Sequence, residues 1–242
     1  MPFQAPTTRM PNGVTNASPD QTFGAAGLPD PTWSHVFHND FDNFAAADWT
    51  ITKTGTGTVA LAAVDGGQLL LTNTAGATDA IYMQPAVSTF KFVPGTDTFF
   101  KFAGVLTTDV FLNSFFAGLI ATSATPLTAD GLYFGKAAAT ANLMLVSISG
   151  GVTTSVSLPS NMVLTANIPF ELGFHVDVQG NVEAFFNPGT GSSFTPGFRG
   201  RVASLMAPGL TTSLVGPSFG LLNASALARG LGVDYITVAR DR

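Results

Sequence analysis

The chain has no cysteine, which removes disulfides, thiolate metal centres and a cysteine nucleophile from its repertoire. Charge is scarce as well: Lys, Arg, Asp and Glu supply 10% of its 242 residues, against roughly a quarter in ordinary soluble domains. The four lysines and six arginines never gather in groups larger than two. The convergent cations that displace counterions from nucleic acid are therefore missing. A net charge of −5 and a pI near 4.9 make DNA and an anionic membrane poor partners. No apolar run is long enough to span a bilayer. The most apolar stretch, 110–121, is interrupted by Asn113 and Ser114 and falls well short of the roughly 20 residues a spanning helix needs. The opening MPFQAPTTRMPNG has neither a cationic leader nor an apolar core, and it does not read as a secretory signal. Nucleic acid and membrane are excluded as partners, and a soluble or assembled protein is expected.

What the chain does have is apolar. Hydrophobic residues make up 45% of it, with 21 Phe, and its mean hydropathy is +0.32. A free globule usually keeps itself soluble with more charge than this. The shortfall points to surface that is covered in the working state, in a homo-oligomer or a larger assembly. Abundant Ser, Thr, Asn and Gln offer an uncharged polar surface as the other explanation.

Residues 1–34 differ from the rest. Six prolines recur through them, with Gly13, Gly24 and Gly27 between, and no period of two or 3.6 appears. Proline removes backbone donors and pushes the preceding residue toward extended geometry. An extended N-terminal arm is expected here, packing on its own body or on a neighbour. The side chains expected to make that contact are Phe3, Arg9, Met10, Phe23 and Trp33.

From residue 35 to 242 a single β domain is expected. Short apolar runs (WTITKT, QLLLTN, AIYMQ, TFFKFAGV, FFAGLIAT, LMLVSIS, GVDYITVA and others) alternate with turn signals at Asp65-Gly66-Gly67, Pro94-Gly95, Asp130-Gly131, Ser149-Gly150-Gly151 and Asn187-Pro188-Gly189. Many short strands at such spacing predict a sandwich or barrel. A short helix is expected only near 224–228. The clearest hairpin covers 170–186. There a three-residue loop, Gln179-Gly180-Asn181, would pair Val178 with Val182, Val176 with Ala184 and Phe174 with Phe186, all facing the core. Trp49 and Phe41 are also expected in the core.

Chemistry finds few footholds. Gly216-Pro217-Ser218-Phe219-Gly220 matches a nucleophile elbow, but His35, His38 and His175 all lie upstream, and no strand–turn–helix pattern surrounds it. Gly131 to Lys136 is one residue short of a phosphate loop, and Ala137 stands where Ser or Thr is required. His35 and His38 sit three apart, so on a strand they point to opposite faces and do not share a metal. The favoured hairpin register places Asp177 opposite Glu183, the geometry a glycosidase would need. Yet the chain has just two glutamates, Glu171 and Glu183, and two Trp and three Tyr beside 21 Phe. Two solvated carboxylates is the plainer reading. No catalytic residue, metal or cofactor is expected.

Two stretches carry a resemblance. FELGFHVDVQGNVEAFF and the closing GLGVDYITVA, in their strand order, look like the concanavalin A-like jelly-roll sandwich over about 36–239. That fold serves lectins, glucanases and structural modules alike. The Glu-x-Asp-x-x-Glu motif of its glucanase members has no match here. The opening FQAPTTRMPNGVTNASPDQTFGAAGLPDPT, followed by NDFDNFAAADWTIT, resembles virion proteins of tailed bacteriophages. The resemblance implies an arm preceding a jelly-roll body that decorates or cements the capsid exterior. It further implies the major capsid protein as partner and self-association as a trimer or dimer. A carbohydrate-binding module displayed on a virion is the alternative, and a glycoside hydrolase a more distant one.

Overall fold

The computed structural model describes residues 34–64, 67–107, 113–137, 140, 142–159, 163–188, 201–206 and 210–241. The expected contact residues Phe3, Arg9, Met10, Phe23 and Trp33, with the rest of 1–33, lie outside them, as do Asp65, Gly66 and Gly189.

Fifteen strands occur among the described residues. They are β1 (Ser34–Asn39), β2 (Trp49–Thr54), β3 (Thr58–Leu61), β4 (Leu69–Asn73), β5 (Ala80–Pro85), β6 (Thr98–Leu106), β7 (Asn113–Ile120) and β8 (Gly131–Lys136). The remainder are β9 (Met144–Ser149), β10 (Val152–Ser157), β11 (Phe170–Val176), β12 (Asn181–Pro188), β13 (Arg201–Met206), β14 (Gly216–Asn223) and β15 (Arg229–Asp241). Two short 3-10 turns, Ala46–Asp48 and Pro126–Thr128, complete the set.

Every pairing is antiparallel, and the strands form two sheets. The seven-stranded sheet runs β10-β9-β8-β7-β14-β5-β2. The eight-stranded sheet runs β13-β12-β11-β6-β15-β4-β3, with β1 also on β15. One edge of the long β15 serves two partners, β4 along its first part and β1 along its last. Between them, at Asp234, the register against β6 shifts through a bulge.

Alternation builds the core. Phe100, Phe102, Phe170, Leu172, Phe174, Ile236 and Val238 of one sheet face Phe115, Leu119, Leu132, Phe134, Phe219 and Leu221 of the other, all buried in one cluster. Phe100 and Phe174 stack at 4.9 Å. Aromatic bulk of this kind dominates a sandwich core because each ring removes a large apolar area from water. Trp49 and Phe41 join it as expected, Phe41 in a left-handed conformation (φ 55°). The two-residue Gly150-Gly151 turn between β9 and β10 has both φ angles positive, as a tight hairpin requires.

Several expectations need correction. Ser34, assigned to the arm, is the first residue of β1. Residues 224–228 hold bends, not a helix, with Asn223 Nδ2 donating to Leu227 O. Asn187 and Pro188 continue β12 instead of turning. β13 was not expected at all: Arg201–Met206 lacks the aromatic and β-branched density of its neighbours.

The 170–186 hairpin keeps the expected faces but not the expected register. Val176 pairs with Val182, Phe174 with Ala184 and Leu172 with Phe186. The loop is Val178-Gln179-Gly180, one residue earlier than expected, because Asp177 nucleates it. The Asp177 carboxylate accepts from Gln179 N, Asn181 N and Asn181 Nδ2, while Gly180 takes φ 84°.

Candidate functional site

The two outer faces of the sandwich are built on opposite principles. On the seven-stranded sheet, cross-strand pairing sets Thr52, Tyr82, Gly220, Phe116, Gly135, Met144 and Ser157 in one row. Beside it, Thr50 faces Gln84 on one side of the sheet, and Ser218, Gly118, Tyr133, Val146 and Ser155 continue on the other. Among the described strand residues, this face carries no Asp, Glu, Lys or Arg. Phe116, Ile120, Tyr133, Val146 and Ile148 form a second buried cluster on it, with Tyr82, Leu127, Ala129 and Met144 packed around.

The glycines make this possible. A Cβ on Gly220 would stand 2.6 Å from Phe116 Cε1 and 2.8 Å from Tyr82 Cδ1, closer than side-chain atoms can pack. The rings thus lie across bare backbone. Tyr82 and Phe116 are 5.6 Å apart, and Phe116 meets Tyr133 edge-on at 6.3 Å. Tyr133 Oη donates to Leu127 O, fixing the loop that covers part of the face. Burial raises both tyrosine pKa values, so each stays a neutral hydroxyl.

The eight-stranded sheet turns a hydrogen-bonded charge network outward. Glu171 on β11 accepts from Lys101 Nζ at 2.8 Å and Asn187 Nδ2 at 2.9 Å, and also from Tyr235 Oη. Lys101 Nζ sits 5.1 Å from the Tyr235 ring centre. Burial pushes the Glu171 carboxyl up, but the Lys101 charge and the three donors together outweigh it and hold it below the usual range. Asp234, in the bulge, is pushed the other way by burial and by the Glu171 and Asp40 charges. Tyr235 is likewise driven upward by burial and by Glu171. His175 lies flat on Phe99 at 4.4 Å, and its Nε2 is 2.7 Å from Asp97 Oδ1. His38 bonds Thr237, whereas His35 stacks on Phe90, so the two histidines diverge.

The expected opposition of Asp177 and Glu183 does not occur. His175 faces Glu183, and Asp177 is spent on capping its turn. Glu171 faces Asn187, four positions from the His175–Glu183 pair, which at strand rise is about 13 Å and wider than either glycosidase spacing. Ser218 is a mid-strand residue, buried, donating to Gly216 O; no elbow exists. Gly131–Lys136 is a strand, and buried Lys136 donates to Ala137 O. Among the described residues no group of three or more His, Asp or Glu could hold a metal.

Neither the Glu171 network nor the Tyr82–Phe116–Tyr133 row was read from the sequence. The bulge left a trace, since inward Val233, Ile236 and Val238 are spaced three and then two. The row left none, because its members come from β5, β7 and β8.

One end of the sandwich holds a cavity of ≈320 Å³. Phe92, Pro94, Thr98, Val176, Gln179 and Leu210 are among its walls.

No protein-family pattern and no curated protein matches the chain. Solved structures do match its fold. An endo-1,3-β-glucanase from Streptomyces sioyaensis superposes with a TM-score of 0.58 at 14% identity, over 88% of this chain and 98% of that one. An endo-β-1,4-glucuronan lyase from Trichoderma reesei gives 0.57 at 15%, over 84% and 94%. Peanut lectin gives 0.59 at 9%, over 86% and 97%. At such identities the likeness is one of fold: the chain is a concanavalin A-like jelly-roll β-sandwich, an architecture on which both lectins and glucanases are built.

Proposed function

We propose that this chain is a non-catalytic structural protein of a tailed-phage virion. It decorates the capsid exterior and cements contacts between major capsid subunits, its segment 1–33 acting as a strap and its body associating with further copies. The observation that carries this reading is the charge-free outer face of the seven-stranded sheet. A surface of small hydroxyls around an aromatic floor suits docking on protein, because no ion must be stripped of water. The separation of Asp177, which caps its own turn, from Glu183 supports the non-catalytic part, and the arm sequence supports the virion. A net charge of −5 suits an exterior position away from packaged DNA.

The test adds purified protein to capsids assembled without it and reads occupancy by electron microscopy. Intact protein fills defined sites; a Thr50→Asp/Ser155→Asp variant, charged at two exposed positions of the face, binds far less, and removal of residues 1–30 has a similar effect. An absence of ordered density with intact protein would sink the proposal.

A second reading, carbohydrate binding, is favoured by half-buried Tyr82 beside Thr50 and Thr52 on the outer face, since sugar faces stack on rings bordered by hydrogen-bonding groups. Clear glycan-array hits that vanish with Tyr82→Ala would replace docking by lectin activity.

A further inference from the structure

A sheet that does not close on itself ends in strands whose outer backbone groups have no ladder partner. The two sheets here end in β13 and β3 and in β10 and β2. Three of these four strands carry features that discourage further pairing: β3 is four residues long, β2 holds Lys53, and β13 holds Arg201 beside a register shift. β10 has none of them. Its six residues, Val152–Ser157, include no charge and no proline, and its register against β9 runs without a shift. No described strand pairs with its other side, although β13 of the opposite sheet passes close to it.

The turn decides which groups of β10 face outward. Gly150-Gly151 is a two-residue turn, so Ser149 and Val152 close it as a hydrogen-bonded pair, and Val152, Thr154 and Val156 spend their backbone bonds on β9. Thr153, Ser155 and Ser157 then direct N–H and C=O away from β9, and all three residues are exposed. Among the described residues no further backbone bond is made to them. The side chains alternate as well. Val156 packs against the core, and the hydroxyls of Thr153, Ser155 and Ser157 stand on the charge-free outer face.

We propose that β10 pairs antiparallel with β10 of a second copy, about a two-fold axis at Ser155. That register sets Ser155 opposite Ser155, and Thr153 of each copy opposite Ser157 of the other, so every outward N–H meets a C=O. On the inner side Val156 faces Thr154, and on the outer side hydroxyls face hydroxyls. A slip of one residue sets outward groups against inward ones and closes no ladder. A slip of two leaves Thr153 or Ser157 beyond the end of the partner strand. The occupant is a second copy because the edge is its own complement: no like charges meet, and the match is complete with two chains. The pairing also sets the two charge-free faces side by side on one continuous sheet. It specifies the self-association included in the proposed function and rests on that part of it. Because it is read on the isolated protein, docking on capsids is tested apart from it.

Sedimentation equilibrium of the full chain should give 50 kDa, twice the 25.0 kDa of one chain. Ser155→Pro removes one outward N–H from each copy, two bonds per dimer, and should raise the dissociation constant on the order of 100-fold; Ser155→Ala should leave it near the native value. A native chain that sediments as a monomer or a trimer overturns the proposal, and so does a folded Ser155→Pro variant as dimeric as the native chain. Charge tests the register. Thr153→Lys/Ser157→Lys and Thr153→Glu/Ser157→Glu should each be monomeric, because like charges meet across the axis, and an equal mixture of the two should restore the dimer. A mixture that stays monomeric refutes the pairing, as does either variant dimerising alone. Should Ser155→Pro not fold, hydrogen exchange of the native chain gives the same reading. Thr153, Ser155 and Ser157 amides that are protected in the dimer and lose protection on dilution support the pairing; free exchange at every concentration refutes it.

Discussion

Strands β6, β11, β12 and β15 turn Lys101, Glu171, Asn187 and Tyr235 outward, whereas β5, β7, β8 and β14 turn out Tyr82, Phe116, Tyr133 and a set of glycines. Both faces leave large side chains partly shielded from water, and each answers the same constraint differently. On the eight-stranded sheet the shielded Glu171 carboxylate is answered by three donors, although Asn187 Oδ1 is buried without a partner. On the outward face of the seven-stranded sheet the described strand residues carry no charge, and the glycines let rings lie close to the backbone. The first solution fixes a geometry through bonds that fail if one member is lost. The second depends on shape, and fails if volume is added.

The largest expected effect comes from breaking the first solution. Lys101→Met keeps most of the stem but strips Glu171 of its cation; the two side chains are 20% and 18% exposed. The loss should be about 3 kcal/mol, the lower end for a shielded charge left alone, read from urea midpoints at pH 7. The Glu171 carboxyl is held below its ordinary value. Its contribution is therefore fully present above the usual glutamate range and disappears as pH falls through the folded value. The variant and the native chain should thus converge in acid; a gap that stays constant down to pH 2 would show that Lys101 acts through packing alone.

Breaking the second solution costs less. Gly220→Ala sets a methyl against Ile81 O and the Phe116 ring, each 2.6 Å away, and should cost about 1–3 kcal/mol, as overpacking does. Because no charge is involved, the loss should be independent of pH. A cost below experimental error would mean that the rings do not rely on bare backbone.

The smallest effect sharpens the comparison from within the charged face. Asp234 is raised above its ordinary value by burial and by Glu171 and Asp40. A raised acid supports folding below its unfolded value and loses that support as pH rises through the folded one. Asp234→Asn should therefore stabilise the protein near neutrality by under about 1 kcal/mol and give no gain at pH 3. Destabilisation at pH 7 would show that the ionised carboxylate is needed in the bulge.

Much of the body was legible before its structure. WTITKT coincides with β2, and QLLLTN, AIYMQ, TFFKFAGV and LMLVSIS fall within a residue or so of β4, β5, β6 and β9. Fourteen strands were legible in this way, because a strand that buries one face needs an alternating pattern wherever it pairs. The inward set of the 170–186 hairpin was read correctly for the same reason, except for Val178, which falls in the turn and is exposed. Its register was not. Parity allows shifts of two, and the deciding contacts are Asp177 with the Gln179 and Asn181 amides, a competition between turns that alternation does not encode. The site was far less legible. Asp177 and Glu183 attracted notice as a pair and are not one, while Glu171 passed as a lone carboxylate and is the centre of the charged face.

The sequence by itself determined the scarcity of charge, the absence of thiol chemistry and the two-residue period that marks the runs after residue 35 as strands, since each is a property of residue type or of neighbours along the chain. Tertiary structure alone decided which outer residues meet. Lys101, Glu171 and Tyr235 are brought together from three strands, and Tyr82, Phe116 and Tyr133 from three others. Strand order in a sandwich is fixed by how two sheets share one core, and that long-range packing leaves no mark on the local sequence.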